Sequence, residues 1–152
     1  MNRFSDYFAN YIEDALLLQI GDEQVTALTV DREKRELTIG LLLSGLIDYA
    51  DLEQCAQSIQ QHMNLHKVHL AVRFDASLFD VSYLPSVIAA VKKNNAAVNG
   101  FFKEAEAVLD GNVLTVSLKY GGADVLRAKQ ADTMISREIK RQFDLDFEVR
   151  FN

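Results

Sequence analysis

The 152-residue chain is 49% apolar and 25% charged, which is typical of one or two folded domains and excludes a disordered segment. Its net charge of −6 lies in residues 1–75, which hold 6 Lys/Arg and 12 Asp/Glu, against 10 of each in residues 76–152. The acidic first half is therefore a poor ligand for a phosphate backbone. A lone cysteine, Cys55, and the absence of a signal peptide or a bilayer-length apolar run predict a cytoplasmic protein.

The first half is predicted to contain a helix, two strands, a second helix and a third strand. Ser5 can cap the first helix, whose aromatic and aliphatic residues fall on one face. Residues 25–30 and 36–43 are rich in Leu, Val, Ile and Thr and flank a charged turn, as in a hairpin. Asp51 opens the second helix, and residues 68–74 alternate as a strand with one buried face.

The second half repeats this mixture of helices and strands. Residues 82–94 form a predicted helix with Pro85 in its first turn, where a missing N–H costs little. Asp110-Gly111 between two apolar runs predicts a hairpin with a type I′ turn. Residues 124–143 form a long helix, and residues 147–151 alternate as the last strand. The predicted buried stripe of this helix consists of Val125, Leu126, Met134, Ile135, Ile139 and Phe143.

Hairpins mixed with helices, without strict strand–helix alternation, predict an α+β fold. We expect two small α/β modules, residues 1–75 and residues 76–152, because the charge balance changes and the periodicity lapses around residues 75–80. We find no internal sequence repeat.

Few residues favour catalysis or metal binding. His62, His66 and His69 lie close in sequence and could bind zinc, but no cysteine or carboxylate joins them at ligand spacing. Cys55 lies on an apolar helical stripe, which favours a buried thiol over a nucleophile. Gly121-Gly122 lacks the further glycines or the Lys-Ser/Thr of a nucleotide loop, which favours a strand stop. We expect no catalytic residue, metal or cofactor in this segment.

Basic residues of the second half are candidates for weak, salt-dependent contacts with nucleic acid. The candidates are Lys92, Lys93, Arg137, Lys140 and Arg141. The last three lie near the C-terminus of the predicted long helix, where the helix dipole alone favours cations. Both interpretations stay open.

The start of the second helix is a candidate protein-interaction surface. Its residues are Asp48, Tyr49, Asp51 and Glu53. Acidic side chains beside an aromatic residue and the neighbouring aliphatic residues are typical of an interface rim. The alternative is that Ile47 and Tyr49 only hold the helix against the core.

Several segments carry a resemblance to a known family. Residues 114–119, residues 121–126, and residues 142–144 before a closing strand resemble the N-terminal, non-catalytic region of the PolC-type DNA polymerase III alpha subunit of Gram-positive bacteria, in particular its clostridial branch. Residues 99–102 and the strands of the first half fit the same pattern.

The resemblance implies that two small α/β modules precede an OB-fold, an exonuclease and a polymerase core in a longer chain, with the second module KH-like. The G-x-x-G loop with which KH domains hold nucleic acid is absent. The implied role is a non-catalytic interaction region in DNA replication, with replisome partners such as the clamp-loader tau subunit and with DNA touched weakly or through the rest of the chain. The parent chain would be a DNA-directed DNA polymerase with 3′–5′ exonuclease activity.

Two alternatives to that role come from other classes. The first is a stand-alone KH-like nucleic-acid-binding domain, and the second is a small enzyme whose site the sequence does not reveal.

Overall fold

Two three-stranded sheets, each with its own helices, make up the α+β fold of this chain. The structure, a computed structural model, describes residues 2–152. The sheets belong to two compact units, Met1–Asp75 and Ala76–Asn152. The first unit contains α1 (Phe4–Phe8), α2 (Asp14–Ile20), β1 (Gln24–Asp31), β2 (Glu36–Leu43), α3 (Tyr49–Met63) and β3 (Lys67–Phe74). The second contains α4 (Leu84–Asn94), β4 (Glu106–Asp110), β5 (Val113–Ser117), α5 (Ala123–Ala128), α6 (Ala131–Phe143) and β6 (Glu148–Phe151).

In the first unit β2 is the central strand. It pairs antiparallel with β1 and parallel with β3, in a register that runs from Glu36 opposite Lys67 to Leu43 opposite Phe74. Alternate residues of β2 are buried because side chains of a strand point to opposite faces in turn. The helix α3 packs against β3 and buries Leu52, Cys55, Ala56 and Ile59.

The first predicted helix is interrupted. A 3-10 turn, Ala9–Tyr11, follows α1, and the backbone of Ile12 is extended before α2 begins. The Ser58 hydroxyl of α3 donates a hydrogen bond to the Tyr11 carbonyl, which the interruption leaves without a helical partner. A hydrogen bond from a distant helix therefore stabilises this interruption, whereas the spacing of apolar residues alone predicts that the first helix continues.

The starts of α1 and α3 differ from the prediction. Arg3, and not Ser5, is the N-cap of α1, and its backbone N–H donates to the Asp6 carboxylate at 3.0 Å. Arg3 is extended because it forms a β-bridge to the first strand. The N-cap of α3 is Asp48, so that helix starts before Asp51.

The hairpin of the second unit has a different turn from the predicted type I′. Asp110 pairs with Val113, so the central turn residues are Gly111 and Asn112. Only Gly111 has a positive φ, +60°, as in a type II′ turn, which requires glycine at the first central position. After the hairpin, β5 pairs in parallel with β6.

The helix predicted from residue 124 to residue 143 is divided into α5 and α6. In a continuous helix Lys129 and Gln130 would share the face of the fully buried Leu126. Gln130 instead adopts a left-handed conformation with φ +59°, so both polar side chains stay exposed and Ala131 takes the next buried position. Val125, expected in the buried stripe, is 44% exposed.

The two units share one topology despite the absence of a sequence repeat. In each, an antiparallel hairpin is followed by helix and by a third strand that pairs in parallel with the second strand of the hairpin. The core of the second unit is built around the fully buried residues Leu114, Val116, Ile135, Ile139 and Phe143. No helix within residues 2–152 has the length and apolar content needed to cross a bilayer.

Candidate functional site

The predicted protein-interaction surface lies at the first turn of α3. Asp48 is exposed, and its side chain forms no capping hydrogen bond with the helix. Tyr49, Asp51 and Glu53 are half-buried. Ile47 is only 8% exposed, which favours the interpretation that this residue holds the helix against the core.

Cys55 lies behind this acidic turn and is buried, as predicted. Burial, together with the negative charges of Asp51 and Glu13, raises the pKa of the Cys55 thiol to about 11. The thiol is thus protonated at neutral pH and is a poor nucleophile.

The predicted histidine cluster is divided between α3 and the chain that leads into β3. Nδ1 of His62 lies 2.8 Å from the Ser58 carbonyl oxygen, and its ring packs 5.7 Å from the Tyr11 ring. His69 is exposed on β3. In the described part of the chain no three His, Cys, Asp or Glu side chains are placed to hold a metal ion.

A cleft of about 360 Å³ lies between α4 and α6 and contains two of the predicted basic residues. We call it the α4–α6 cleft, and it is lined by Val91, Asn94, Asn95, Met134, Arg137, Glu138 and Arg141. Arg137 and Arg141 are one helical turn apart and share a face of α6. The structure therefore brings together these two cations and separates them from the other three.

The two arginines differ in how they are held. Glu138 is 7% exposed, and its carboxylate accepts hydrogen bonds from the Arg141 guanidinium and, at 2.6 Å, from the Gln142 amide. Arg137 forms no ion pair or side-chain hydrogen bond with any residue that the structure describes. Arg137 is thus the cation of the cleft that an anionic ligand would meet first.

The remaining predicted cations lie elsewhere. Lys140 Nζ lies 3.0 Å from the Asp144 carboxylate and 3.2 Å from that of Asp146, and these bonds raise the pKa of the lysine. Lys92 Nζ lies 5.9 Å from the centre of the Phe102 ring, in a different groove, and Lys93 is exposed in the last turn of α4. None of these lysines lines the α4–α6 cleft.

The sequence interpretation missed the other walls of this cleft. The sequence predicts that Asn94 and Asn95 end a helix and that Met134 belongs to a buried stripe, although Met134 is half-buried. Asn95 Nδ2 donates to the Met134 sulfur at 3.0 Å. The spacing of Glu138 and Arg141, three residues apart, was the available signal for an anchored guanidinium.

The glycine pair between β5 and α5 serves packing. Gly121 and Gly122 have positive φ values of +76° and +98°, and Gly122 is the N-cap of α5. A Cβ on Gly122 would lie 2.6 Å from Cδ1 of Phe101. The predicted strand stop is wrong, because β5 already ends at Ser117, and the pair instead turns the chain into α5 and admits an aromatic ring.

In a KH domain the loop that holds nucleic acid lies between two helices. The corresponding connection here is Lys129-Gln130, between α5 and α6, and it contains no glycine. Both side chains are exposed. Comparison of the chain with protein-family models, with curated proteins and with solved structures found no match.

Proposed function

We propose that this chain is a non-catalytic interaction region of a replicative bacterial DNA polymerase, the PolC-type DNA polymerase III alpha subunit, and that it acts in the cytoplasm through contacts with replisome proteins. The proposal is supported by the resemblance of residues 114–126 and 142–152, which fold as strand, glycine turn, helix and closing strand. The proposed role requires no catalytic residue in this segment.

The observation that carries the interaction role is the exposed Asp48 carboxylate at the acidic start of α3. The Asp48 carboxylate is exposed and forms no hydrogen bond or ion pair within the described chain, and Leu46, two residues earlier, is 38% exposed. The whole unit carries a net charge of −6 over residues 1–75. A partner with a basic surface would gain association rate from this field, and an apolar contact at Leu46 would add affinity.

A charge-reversal experiment tests this surface. We expect Asp48→Lys with Glu53→Lys to weaken capture of the clamp-loader tau subunit in a pull-down, and to weaken it more at low salt, where exposed charges are screened least. The matched control is Glu33→Lys with Glu36→Lys, which makes the same charge change at the other end of β2. Equal capture by both double variants and the unaltered chain would show that the start of α3 is the wrong surface.

The proposed parent protein has a separate test. The reading frame that encodes this chain should continue into an OB-fold, an exonuclease and a polymerase core. A natural stop directly after Asn152 would contradict the polymerase assignment without affecting the surface on α3.

A stand-alone KH-like nucleic-acid-binding domain is the second candidate function. Arg137, unpaired in the α4–α6 cleft beside Arg141, favours it. The buried Glu138 carboxylate in the same cleft lowers the affinity for a phosphate, so we expect only weak and salt-dependent binding. Submicromolar affinity for single-stranded DNA at physiological salt would favour this candidate over the first.

A further inference from the structure

The strand β4 is an open edge of the second sheet. The strand order is β4-β5-β6, so β4 has one hydrogen-bonded neighbour. Asp110 and Val113 close a two-residue turn and form a hydrogen-bonded pair, so the alternation of an antiparallel ladder directs the N–H and C=O groups of Ala107 and Leu109 away from β5. No backbone hydrogen bond from another described residue reaches these groups.

A groove of about 310 Å³ lies beside this edge, between β4 and α4. We call it the α4–β4 groove, and it is lined by Val81, Ser82, Leu84, Pro85, Ile88, Lys92, Phe102, Ala105 and Ala107. Ala105 and Ala107 contribute only a methyl group each on the strand side. The lining is thus mostly apolar, with one cation at Lys92.

We propose that the α4–β4 groove binds an extended peptide of a partner protein, which adds to the sheet antiparallel to β4. An apolar side chain of the peptide enters the groove at Ile88, and an acidic side chain two residues further along the peptide meets Lys92. Backbone hydrogen bonds to the strand edge supply affinity, and the two side chains supply specificity, as in other cases of strand addition.

The positions of Ile88 and Lys92 set the direction of the bound peptide and the spacing of its two specific side chains. Lys92 contacts Phe102, which precedes β4 in the chain, so the lysine lies towards the N-terminal end of the strand. An antiparallel peptide therefore runs from the level of Ile88 towards Lys92. The four residues from Ile88 to Lys92 span about 6 Å of helix, and two residues of a strand span about 6.7 Å. Side chains two residues apart also point to the same face, so both enter the groove.

The charge near Lys92 favours an acidic side chain of the peptide at this end of the α4–β4 groove. Lys92 forms no ion pair within residues 2–152, and neither does the neighbouring exposed Lys103. The acidic residues of β4, Glu106 and Asp110, alternate with Ala107 and therefore belong to the opposite face of the strand. A carboxylate at this end of the groove would therefore meet the Lys92 cation. This inference concerns the second unit and does not depend on the polymerase assignment.

NMR titration of the full chain tests the proposal. The probe is an acetylated and amidated peptide, Thr-Thr-Val-Thr-Glu-Thr-Thr, added to millimolar concentration. We expect shifts of the Ala107 and Leu109 amide signals and saturable binding. N-methylation of the peptide amides that face β4 should abolish binding, because it removes the donors of the added ladder.

Variants of the groove separate its two parts. Lys92→Glu should weaken binding of the glutamate peptide about fivefold, the upper range for an exposed ion pair, and should favour a peptide with lysine in place of the glutamate. Lys103→Glu is the matched control and should change either affinity less. Ala107→Phe should block the groove. Unshifted β4 amides, binding that survives N-methylation, or a charge preference that Lys92→Glu leaves unchanged would each overturn the proposal.

Discussion

Replacing Gly122 by alanine tests the account of how the second unit is closed between β5 and α5. At φ +98° an L-residue is strained, and the new Cβ would lie 2.6 Å from Cδ1 and 2.9 Å from Cε1 of Phe101. Gly121 has a similar φ of +76° but an open environment, because a Cβ there meets no atom within 4 Å. The two glycines therefore form a matched pair that separates backbone strain from crowding.

The expected magnitudes follow from this difference. The left-handed conformation costs an alanine about 1–2 kcal/mol at either position. Displacing the half-buried Phe101 ring adds about 1–3 kcal/mol, the usual cost of overpacking. We predict that Gly121→Ala destabilises the unit by about 1–2 kcal/mol, and that Gly122→Ala destabilises it by about 2–5 kcal/mol.

Hydrogen exchange of buried amides in the second unit, such as those of Leu114 and Ile139, measures the stability of that unit directly. In the Phe101→Ala background the two glycine substitutions should cost nearly the same, because the ring that the new methyl group meets is absent. Equal costs of the two substitutions in the presence of Phe101 would refute the role given to this contact.

Two further predictions concern ionisable groups. Arg137→Glu should weaken binding of single-stranded DNA and lower the salt dependence by about 0.7 of a logarithmic slope per lost phosphate contact, as measured by fluorescence anisotropy. Lys140→Glu should change the DNA affinity little, because Lys140 is already paired with Asp144 and Asp146. Equal losses of affinity in the Arg137→Glu and Lys140→Glu variants would contradict this difference between the two cations. The pKa of Cys55 is raised from 9.0 to about 11 on folding, so between these values the unfolded chain has lost a proton that the folded chain retains. Stability relative to the Cys55→Ala variant should therefore be constant below pH 9.0 and fall as pH rises towards 11, as measured by urea unfolding; a constant difference across this range would show that the thiol is not buried.

The elements that the sequence predicted best are those with a single repeating pattern. Residues 36–43 alternate between buried and less buried positions, and β2 has these same bounds. The order of strands and helices followed from such patterns. The interruption of the first predicted helix could not be predicted in this way, because it depends on a distant partner. Ser58 of another helix donates a hydrogen bond to the Tyr11 carbonyl, and no pattern in the sequence around Tyr11 indicates that bond.

Candidate sites were harder to predict than elements. The spacing of Arg137 and Arg141 was readable, since it needs only helical geometry. The separation of these two arginines from Lys92 could not be predicted from the sequence, because it depends on the packing of α4 beside α6. The α4–β4 groove left no sequence signal for the same reason, because its walls come from two segments that are ten or more residues apart.

The affinity of the purified chain for the purified clamp-loader tau subunit is the most direct measure of the proposed role as a protein-interaction region of the replisome. Biolayer interferometry at low and at physiological salt would measure it. We predict saturable binding that weakens as salt rises, because an acidic surface with an apolar neighbour forms the contact. Absence of binding at both salt concentrations would contradict the claim.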